Sequence, residues 1–156
     1  MKRSHVATVF LVPALSLGWV VALPAPVSAG DSGTAAEARA MLEKAVVALK
    51  ANQADALAKF QKGEGGFKDR DLYVFCIGPD GKYSAQPEFK GQHVSNVFDP
   101  TGKVMGADML KEAHEGKISE MSYLAHRPGS PAEAEVKKVA YFTKVGNQVC
   151  GVGYYP

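Results

Sequence analysis

A change in hydrophobic period near residue 71 constrains this chain more than any other feature of its sequence. Before that point, apolar residues recur at three- and four-residue intervals, as on one face of an α-helix. They are Met41, Leu42, Ala45, Val46, Leu49, Ala56, Leu57 and Phe60. After it, residues 72–77 form a β-branched and aromatic run that is typical of a buried strand. The order of the two patterns predicts helices first and strands later, which is an α+β arrangement.

The ends of the helical segment carry their own signals. Thr34 followed by Glu37 three residues later is the pattern of a capping box, in which each side chain bonds the other residue's backbone. Residues 52–55 interrupt the apolar spacing and predict a break into two helices. Gly63 marks the end of the segment, because glycine readily adopts the left-handed conformation that ends helices.

The second half of the chain predicts a hairpin-rich sheet. Residues 82–85, 118–125, 136–145 and 148–155 read as four further strands, and Gly146-Asn147 is a tight hairpin turn between the last two. A short helix is expected over about residues 104–115. The prediction is a five-stranded antiparallel sheet with the long helix on one face. A flap, residues 88–116, covers the other face and leaves a cleft suited to a small ligand.

The small net charge of the chain argues against a nucleic-acid-binding protein. The 156 residues include 18 Lys and Arg against 16 Asp and Glu, a net charge of +2. Lys2 and Arg3 account for that excess. Because polyanion binding needs a strongly basic face, no nucleic-acid partner is expected.

The N-terminus has the pattern of an export signal. A cationic start is followed by an uncharged segment over residues 6–23 and by Val27-x-Ala29, a small-residue cleavage pattern. We expect a signal peptide over residues 1–29 and a single domain over residues 30–156, in the periplasm or secreted. The alternative is an uncleaved membrane anchor, since the apolar run is nearly long enough to span a bilayer.

Cys76 and Cys150 are the two cysteines of the chain. Disulfides form in oxidising compartments, so export favours a bond between them. Two buried thiols packed as small hydrophobic side chains are the alternative.

The sequence offers no pattern for catalysis, a metal or a cofactor. His93, His114 and His126 lack the spacing of metal ligands, and no nucleophile or acid/base pair stands in a known context. A non-enzymatic protein without metal or cofactor is therefore expected.

Several motifs occur together in a characteristic order. They are Phe60-Gln-Lys-Gly-Glu-Gly-Gly-Phe67, Asp71-Leu-Tyr-Val-Phe75, Gly78-Pro-Asp-Gly81, Ala85-Gln86-Pro87, Asp99-x-x-Gly102-Lys103, Lys138-Val-Ala-Tyr141 and Val149-x-Gly-Val-Gly-Tyr-Tyr155. In this order the chain resembles the single Cache domain, type 2, of bacterial extracytoplasmic sensors. The resemblance implies a PAS-like five-stranded antiparallel sheet with a long N-terminal helix. It also implies binding of small molecules, often short organic acids.

The chain departs from the family in two respects. Cache domains usually sit between membrane helices and feed an output domain, whereas this chain ends directly after its last strand, so we expect no output domain of its own. The family often has His where Gln86 stands.

The resemblance and the chemistry of carboxylate binding together select the candidate ligand-binding residues. Such a ligand needs a fixed cation or amide donors and an aromatic wall. The candidates are Tyr73, Gln86, Tyr123, Lys138 and Tyr141. Each has a plainer alternative: a solvated lysine beside Lys137, a glutamine in a surface turn, and tyrosines that belong to the core.

The resulting prediction is an exported small-molecule-binding module of sensor type, for a small organic acid. A membrane receptor or kinase and a homodimer are the expected kinds of further partner. The alternative is a structural or interaction protein on the same fold, which dimerises or docks on a receptor and has a filled cleft.

Overall fold

Three α-helices and a six-stranded antiparallel sheet make up the part of the chain that the computed structural model describes, residues 32–127 and 135–156. Two helices come first and the third lies in the connection between strands three and four. The helices are α1 (Ala35–Ala51), α2 (Gln53–Lys62) and α3 (Met105–Glu112). The strands are β1 (Lys68–Asp69), β2 (Leu72–Ile77), β3 (Tyr83–Ala85), β4 (Ser119–His126), β5 (Glu135–Val145) and β6 (Gln148–Tyr154).

The helical half has the predicted caps and the predicted break. Thr34 and Glu37 form the capping box at the start of α1. Asn52 has an extended backbone that ends α1, and its side chain accepts a hydrogen bond from the Asp55 amide at 3.1 Å to begin α2. Gly63 ends α2 in the left-handed conformation, at a φ of 70°.

The sheet has the strand order β1-β2-β6-β5-β4, and β3 pairs with β2 beside β1. All the pairs of strands within it are antiparallel. The five predicted strands are all present, and the two-residue β1 adds a sixth. The α+β prediction is confirmed.

Both faces of the sheet are buried, one under the helices and the other under the flap. Val74 and Val152 point toward α1 and α2, where they join a core that includes Leu42 and Phe60. Phe75 and Phe142 point the opposite way, into a second core under the flap. Because successive side chains of a strand face opposite sides, burial on both faces explains the continuous apolar runs.

The structure joins Cys76 and Cys150 in a disulfide, as predicted. The two residues are direct partners in the β2–β6 pairing, and both are fully buried. Their side chains belong to the core under α1 and α2. The bond therefore lies on the helix side of the sheet.

The flap, residues 88–116, lies in the connection between β3 and β4. It contains a 3₁₀ turn (Val94–Asn96) and α3. Val94, Val97 and Met109 anchor it to the sheet through the second core. Helix α3 is shorter than the predicted span of about residues 104–115, because Ala113 already has an extended backbone.

Candidate functional site

A cavity of about 210 Å³ lies between the sheet and the flap. Its floor is formed by side chains of β2, β4 and β5, among them Tyr73, Tyr123 and Lys138. Its roof is formed by apolar side chains of the flap, which are Phe89, Val97, Phe98, Met105 and Met109. The cavity therefore combines apolar side chains with polar and charged ones, a combination suited to a small ligand that has both kinds of group.

The Lys138 ammonium group is buried in the floor of this cavity. The side chain is 2% exposed, and its Nζ donates to the Tyr73 hydroxyl at 3.1 Å. The same Nζ lies 4.4 Å from the centre of the Tyr73 ring and 4.8 Å from that of Tyr155. Among the described residues, none of the ion pairs includes Lys138. A buried cation without a carboxylate partner is unfavourable, so this site is suited to an anion supplied from outside.

Lys138 stays protonated in this environment. Burial alone would lower the pKa of the ammonium group, but the surrounding hydroxyls of Tyr73, Tyr123 and Tyr155 raise that pKa above its ordinary value. The cavity therefore offers a full positive charge at neutral pH.

Tyr83 and Tyr123 stay neutral at neutral pH and can donate hydrogen bonds. Burial raises the pKa of Tyr83 to about 12, and the nearby Tyr73 adds to the effect. Burial also raises the pKa of Tyr123, although the charge of Lys138 acts in the opposite direction. Phenol hydroxyls beside a fixed ammonium group are suitable donors for a carboxylate.

Gln86 is buried at the junction between β3 and the flap. Its Oε1 accepts hydrogen bonds from the backbone amides of Glu88 and Phe89, so it organises the turn that begins the flap. The backbone N–H of Gln86 donates to Gln61 Oε1 at 2.9 Å, which connects this turn to α2. Because its side-chain oxygen is used in this way, the NH₂ group is the donor that Gln86 has left for a ligand.

Asp99 holds the far end of the flap against the sheet. Its Oδ1 accepts from the Thr101 amide at 2.9 Å and the Lys103 amide at 3.0 Å, and also from the Thr101 hydroxyl. Its Oδ2 accepts from the Leu124 amide of β4 at 3.3 Å. Hydrogen bonds to the carboxylate, that from Thr101 first, lower the pKa of Asp99 below its ordinary value of 3.8.

We expect this arrangement to give the protein an acid-sensitive stability. A carboxylate with a lowered pKa stabilises the folded state fully above its ordinary pKa, and the contribution is lost as the pH falls through the lowered value. Thermal unfolding of the wild type and of Asp99→Asn tests this between pH 7 and pH 3. The variant should melt lower at pH 7, and the gap should narrow below about pH 4. A gap of constant size at every pH would contradict the assignment.

The structure brings four of the five predicted ligand-binding residues to one cavity. Tyr73, Gln86, Tyr123 and Lys138 all line it, although binding by any of them remains a prediction. Of the adjacent lysines, Lys138 points into the cavity and Lys137 is exposed.

Tyr141 is not brought to the cavity. It packs against the core under the helices and stacks on Tyr154, with 5.6 Å between the ring centres. The reason is alternation, because residues three apart in a strand point to opposite faces. Lys138 and Tyr141 of the same strand therefore cannot both face the flap. This placement corrects the expectation from the Lys-x-x-Tyr motif.

Sequence reasoning missed several residues of the cavity. Tyr83, Glu88, Asp99 and Glu135 line it, and Tyr155 lies against Lys138. Alternation could have predicted the position of Tyr155, since Gly151, Gly153 and residue 155 share one face of the last strand. Glu88 and Asp99 reach the cavity through the path of the flap, and Glu135 through the register of β5, for which the sequence has no local signal. Tyr83 lies in the predicted strand β3, and its face was not assigned.

An antiparallel sheet with N-terminal helices on one face and a small cavity under a flap on the other defines a PAS-like binding domain. The chain belongs to the Single Cache domain 2 family, whose profile matches residues 20–155. The resemblance predicted from the sequence is confirmed. Cache sensor domains are non-catalytic ligand-binding modules, and this confirms the prediction that the protein is not an enzyme.

Solved structures share this fold. A methyl-accepting chemotaxis protein from Vibrio parahaemolyticus RIMD 2210633 is 19% identical, with a TM-score of 0.61 over 77% of this chain and 86% of the other. The periplasmic sensor domain of a chemotaxis protein is 20% identical, with a TM-score of 0.53 over 76% and 87%. A Cache chemosensory domain described for its carboxylic acid recognition is 20% identical, with a TM-score of 0.52 over 76% and 85%. No curated protein sequence matches the chain.

Residues 32–127 and 135–156 hold no cluster of three or more His, Cys, Asp or Glu side chains arranged to bind a metal. No helix within them combines the length and the hydrophobicity that a membrane crossing requires.

Proposed function

We propose that this chain is an exported sensor-type module that binds a short organic acid in the cavity under the flap. The observation that carries the proposal is the buried ammonium group of Lys138, which has tyrosine neighbours but no carboxylate partner among the described residues. A ligand carboxylate would neutralise this charge and accept the hydrogen bonds that surround it. Carboxylic acid recognition by a structurally similar Cache domain supports the same class of ligand.

The size of the cavity limits that ligand. The cavity volume is about 210 Å³. Pockets for drug-sized molecules are larger, at roughly 300–1,000 Å³. The apolar side chains of the flap surround the space above Lys138. The best fit is therefore a carboxylate with a short, largely apolar tail.

Calorimetric titration with acetate, propionate, pyruvate and lactate tests the proposal. The matched control is propionamide, which has nearly the shape of propionate without its charge. At least one acid should bind, and the amide should bind about 10-fold more weakly or worse, since close charge pairs contribute about 1.5 kcal/mol or more and about 1.4 kcal/mol is a factor of ten. Equal affinity for acid and amide, or no binding of any acid, would refute the proposal.

The proposal includes export. A signal-like N-terminus, the disulfide, and the periplasmic location named for a structurally similar domain all support it. The family match begins at residue 20, within the predicted signal peptide, and residues 1–31 lie outside the described part of the chain. The intact mass of the protein recovered from the periplasm tests the cleavage. It should correspond to a chain that begins at Gly30, and a mass that includes residues 1–29 would contradict it.

The structural alternative predicts a filled cleft, and the structure instead leaves the cavity open to a ligand. A membrane receptor or kinase is the proposed partner that would read out the bound state.

Gly153 provides a test of how closely the site is built around Lys138. A Cβ added at Gly153 would lie 2.5 Å from Cε of Lys138, the far end of a flexible side chain. We expect Gly153→Ala to displace the ammonium group and weaken carboxylate binding about 10-fold, with only a modest loss of stability.

Gly151→Ala is the comparison variant for stability, and it is not a control for binding because Phe75, which it would contact, lines the cavity. Its Cβ would lie 2.5 Å from the Phe75 ring and 2.7 Å from the backbone oxygen of Tyr141. Because backbone atoms cannot swing aside, this variant should lose about 1–3 kcal/mol of stability. Titration and urea unfolding of both variants separate the two effects. Unchanged affinity in Gly153→Ala would show that the position of Lys138 does not control binding.

A further inference from the structure

The mouth of the cavity carries negative charge. Glu88 and Glu135 line the same cavity as Lys138, but both are exposed whereas Lys138 is buried. They approach it from different parts of the fold, since Glu88 begins the flap and Glu135 begins β5. The cavity therefore has a cation at its floor and two carboxylates nearer to solvent.

Both glutamates are held in place by their backbones. The Glu88 amide donates to the buried Gln86 side chain, which fixes the start of the flap. Glu135 is paired with His126 in the register of β4 and β5. Neither side chain takes part in an ion pair within residues 32–127 and 135–156. Residues 128–134 contain no Lys, Arg or His that could neutralise Glu135.

The third carboxylate of the cavity, Asp99, has the same sign of charge as the two glutamates. Asp99 is ionised, and both of its oxygens accept hydrogen bonds from the protein. The acidic and basic residues that line the cavity are one lysine, one histidine (His126) and three carboxylic acids. A ligand with one carboxylate finds its charge matched by Lys138. Among the described residues that line the cavity, a second carboxylate would find no second lysine or arginine and would face Glu88 and Glu135. Arg127, whose guanidinium lies 4.8 Å from the centre of the Tyr155 ring, is not part of the lining.

We propose that Glu88 and Glu135 are specificity-determining residues that admit monocarboxylates and exclude dicarboxylates. The inference rests on the proposed function and names its substrate class more narrowly. Selectivity of this kind comes from an unfavourable interaction with the wrong ligand rather than from a better contact with the right one. Because the glutamates are exposed, their repulsion is partly screened by salt, and the selectivity should be larger at low ionic strength.

Malonate and malonamate form a ligand pair that separates charge from size. They have nearly the same shape, but malonamate carries an amide in place of the second carboxylate. Calorimetric titration of the wild-type chain at low salt should show malonamate binding about 10-fold more tightly than malonate, or better. In Glu88→Gln/Glu135→Gln the ratio should fall to about twofold, chiefly through tighter binding of malonate. Glutamine preserves the size of each side chain.

Glu120→Gln is the control variant. Glu120 is exposed on β4 and does not line the cavity, so its removal should leave the ratio unchanged. Equal binding of malonate and malonamate to the wild type, or an unchanged ratio in the double variant, overturns the inference. If propionate binds and malonamate does not, the cavity selects by size and the inference is also wrong. If no monocarboxylate binds at all, the proposed function fails, and the inference fails with it.

Discussion

Replacement of Lys138 by methionine should weaken the binding of short carboxylates about 100-fold or more, because truncating one partner of a buried charge pair typically costs 2–5 kcal/mol. Lys138 Nζ is the one lysine or arginine group that lines the cavity in the described part of the chain. Methionine keeps the length and much of the volume of lysine. It therefore removes the charge and the bond to the Tyr73 hydroxyl with little change in packing.

The same substitution should not destabilise the empty protein. The raised pKa of Lys138 shows that its tyrosine neighbours favour the ammonium form in the folded protein. Even so, replacement of a buried ion by an apolar side chain of similar size is often neutral or stabilising, because the cost of removing the ion from water is lost as well. Thermal unfolding should show an unchanged or higher melting temperature for Lys138→Met, together with the loss of heat in titrations with propionate. This combination distinguishes a binding role from a general structural role.

Lys137→Met is the matched control, since Lys137 is the adjacent residue of the same strand and points to solvent. It should bind propionate within about twofold of the wild type, because charges outside the site are screened. Tyr73→Phe is a second variant, which removes one hydrogen bond from Nζ and keeps the charge. It should lose less affinity than Lys138→Met. A folded Lys138→Met variant with wild-type affinity would place the carboxylate elsewhere.

Loss of the Cys76–Cys150 disulfide should cost about 4 kcal/mol of stability, the chain-entropy value for a loop of this length. The bond joins residues 74 apart in sequence, so it strongly restricts the unfolded chain. Since single domains are commonly stable by only about 5–15 kcal/mol, this is a large fraction of the total. Urea unfolding of Cys76→Ala/Cys150→Ala should show a much lower midpoint than the oxidised wild type.

The effect on binding should be small by comparison. Cys76 and Cys150 lie in the core under the helices, whereas Lys138 and Tyr73 face the flap. Where the double variant is still folded, its affinity for propionate should stay within about threefold of the wild type. Reduced wild-type protein is the control for the side-chain change. A variant within 1 kcal/mol of the oxidised wild type, or one that is folded but unable to bind, would contradict this account.

Much of the architecture was accessible from local sequence patterns. The capping box at Thr34, the break near Asn52 and the hairpin at Gly146 depend on residues within a few positions of each other. Such features follow from backbone preferences and hydrogen bonds between near neighbours. The alternation of strands likewise predicted which residues share a face, and its strict application would have removed Tyr141 from the candidate site.

The remaining features depend on contacts between distant parts of the chain. Tyr73 and Lys138 are 65 residues apart and meet because β6 lies between β2 and β5 in the sheet. The path of the flap brings Glu88 and Asp99 to the cavity. No local sequence pattern predicts this path. The Asp99 carboxylate accepts a hydrogen bond from the Leu124 amide because the folded flap lies against β4.

The sequence by itself determined the two N-terminal helices, five of the six strands, the pair of cysteines and the family, since each of these is encoded by residue types at fixed short spacings or in a fixed order. Only the tertiary structure decided which of two adjacent lysines is buried, which tyrosines surround it and where the acidic residues stand. The physical reason is that burial and charge environment are properties of segments packed together. Residues 138 and 137 are chemically identical, and the packing of the flap against one face of the sheet makes one of them a buried cation and leaves the other in water.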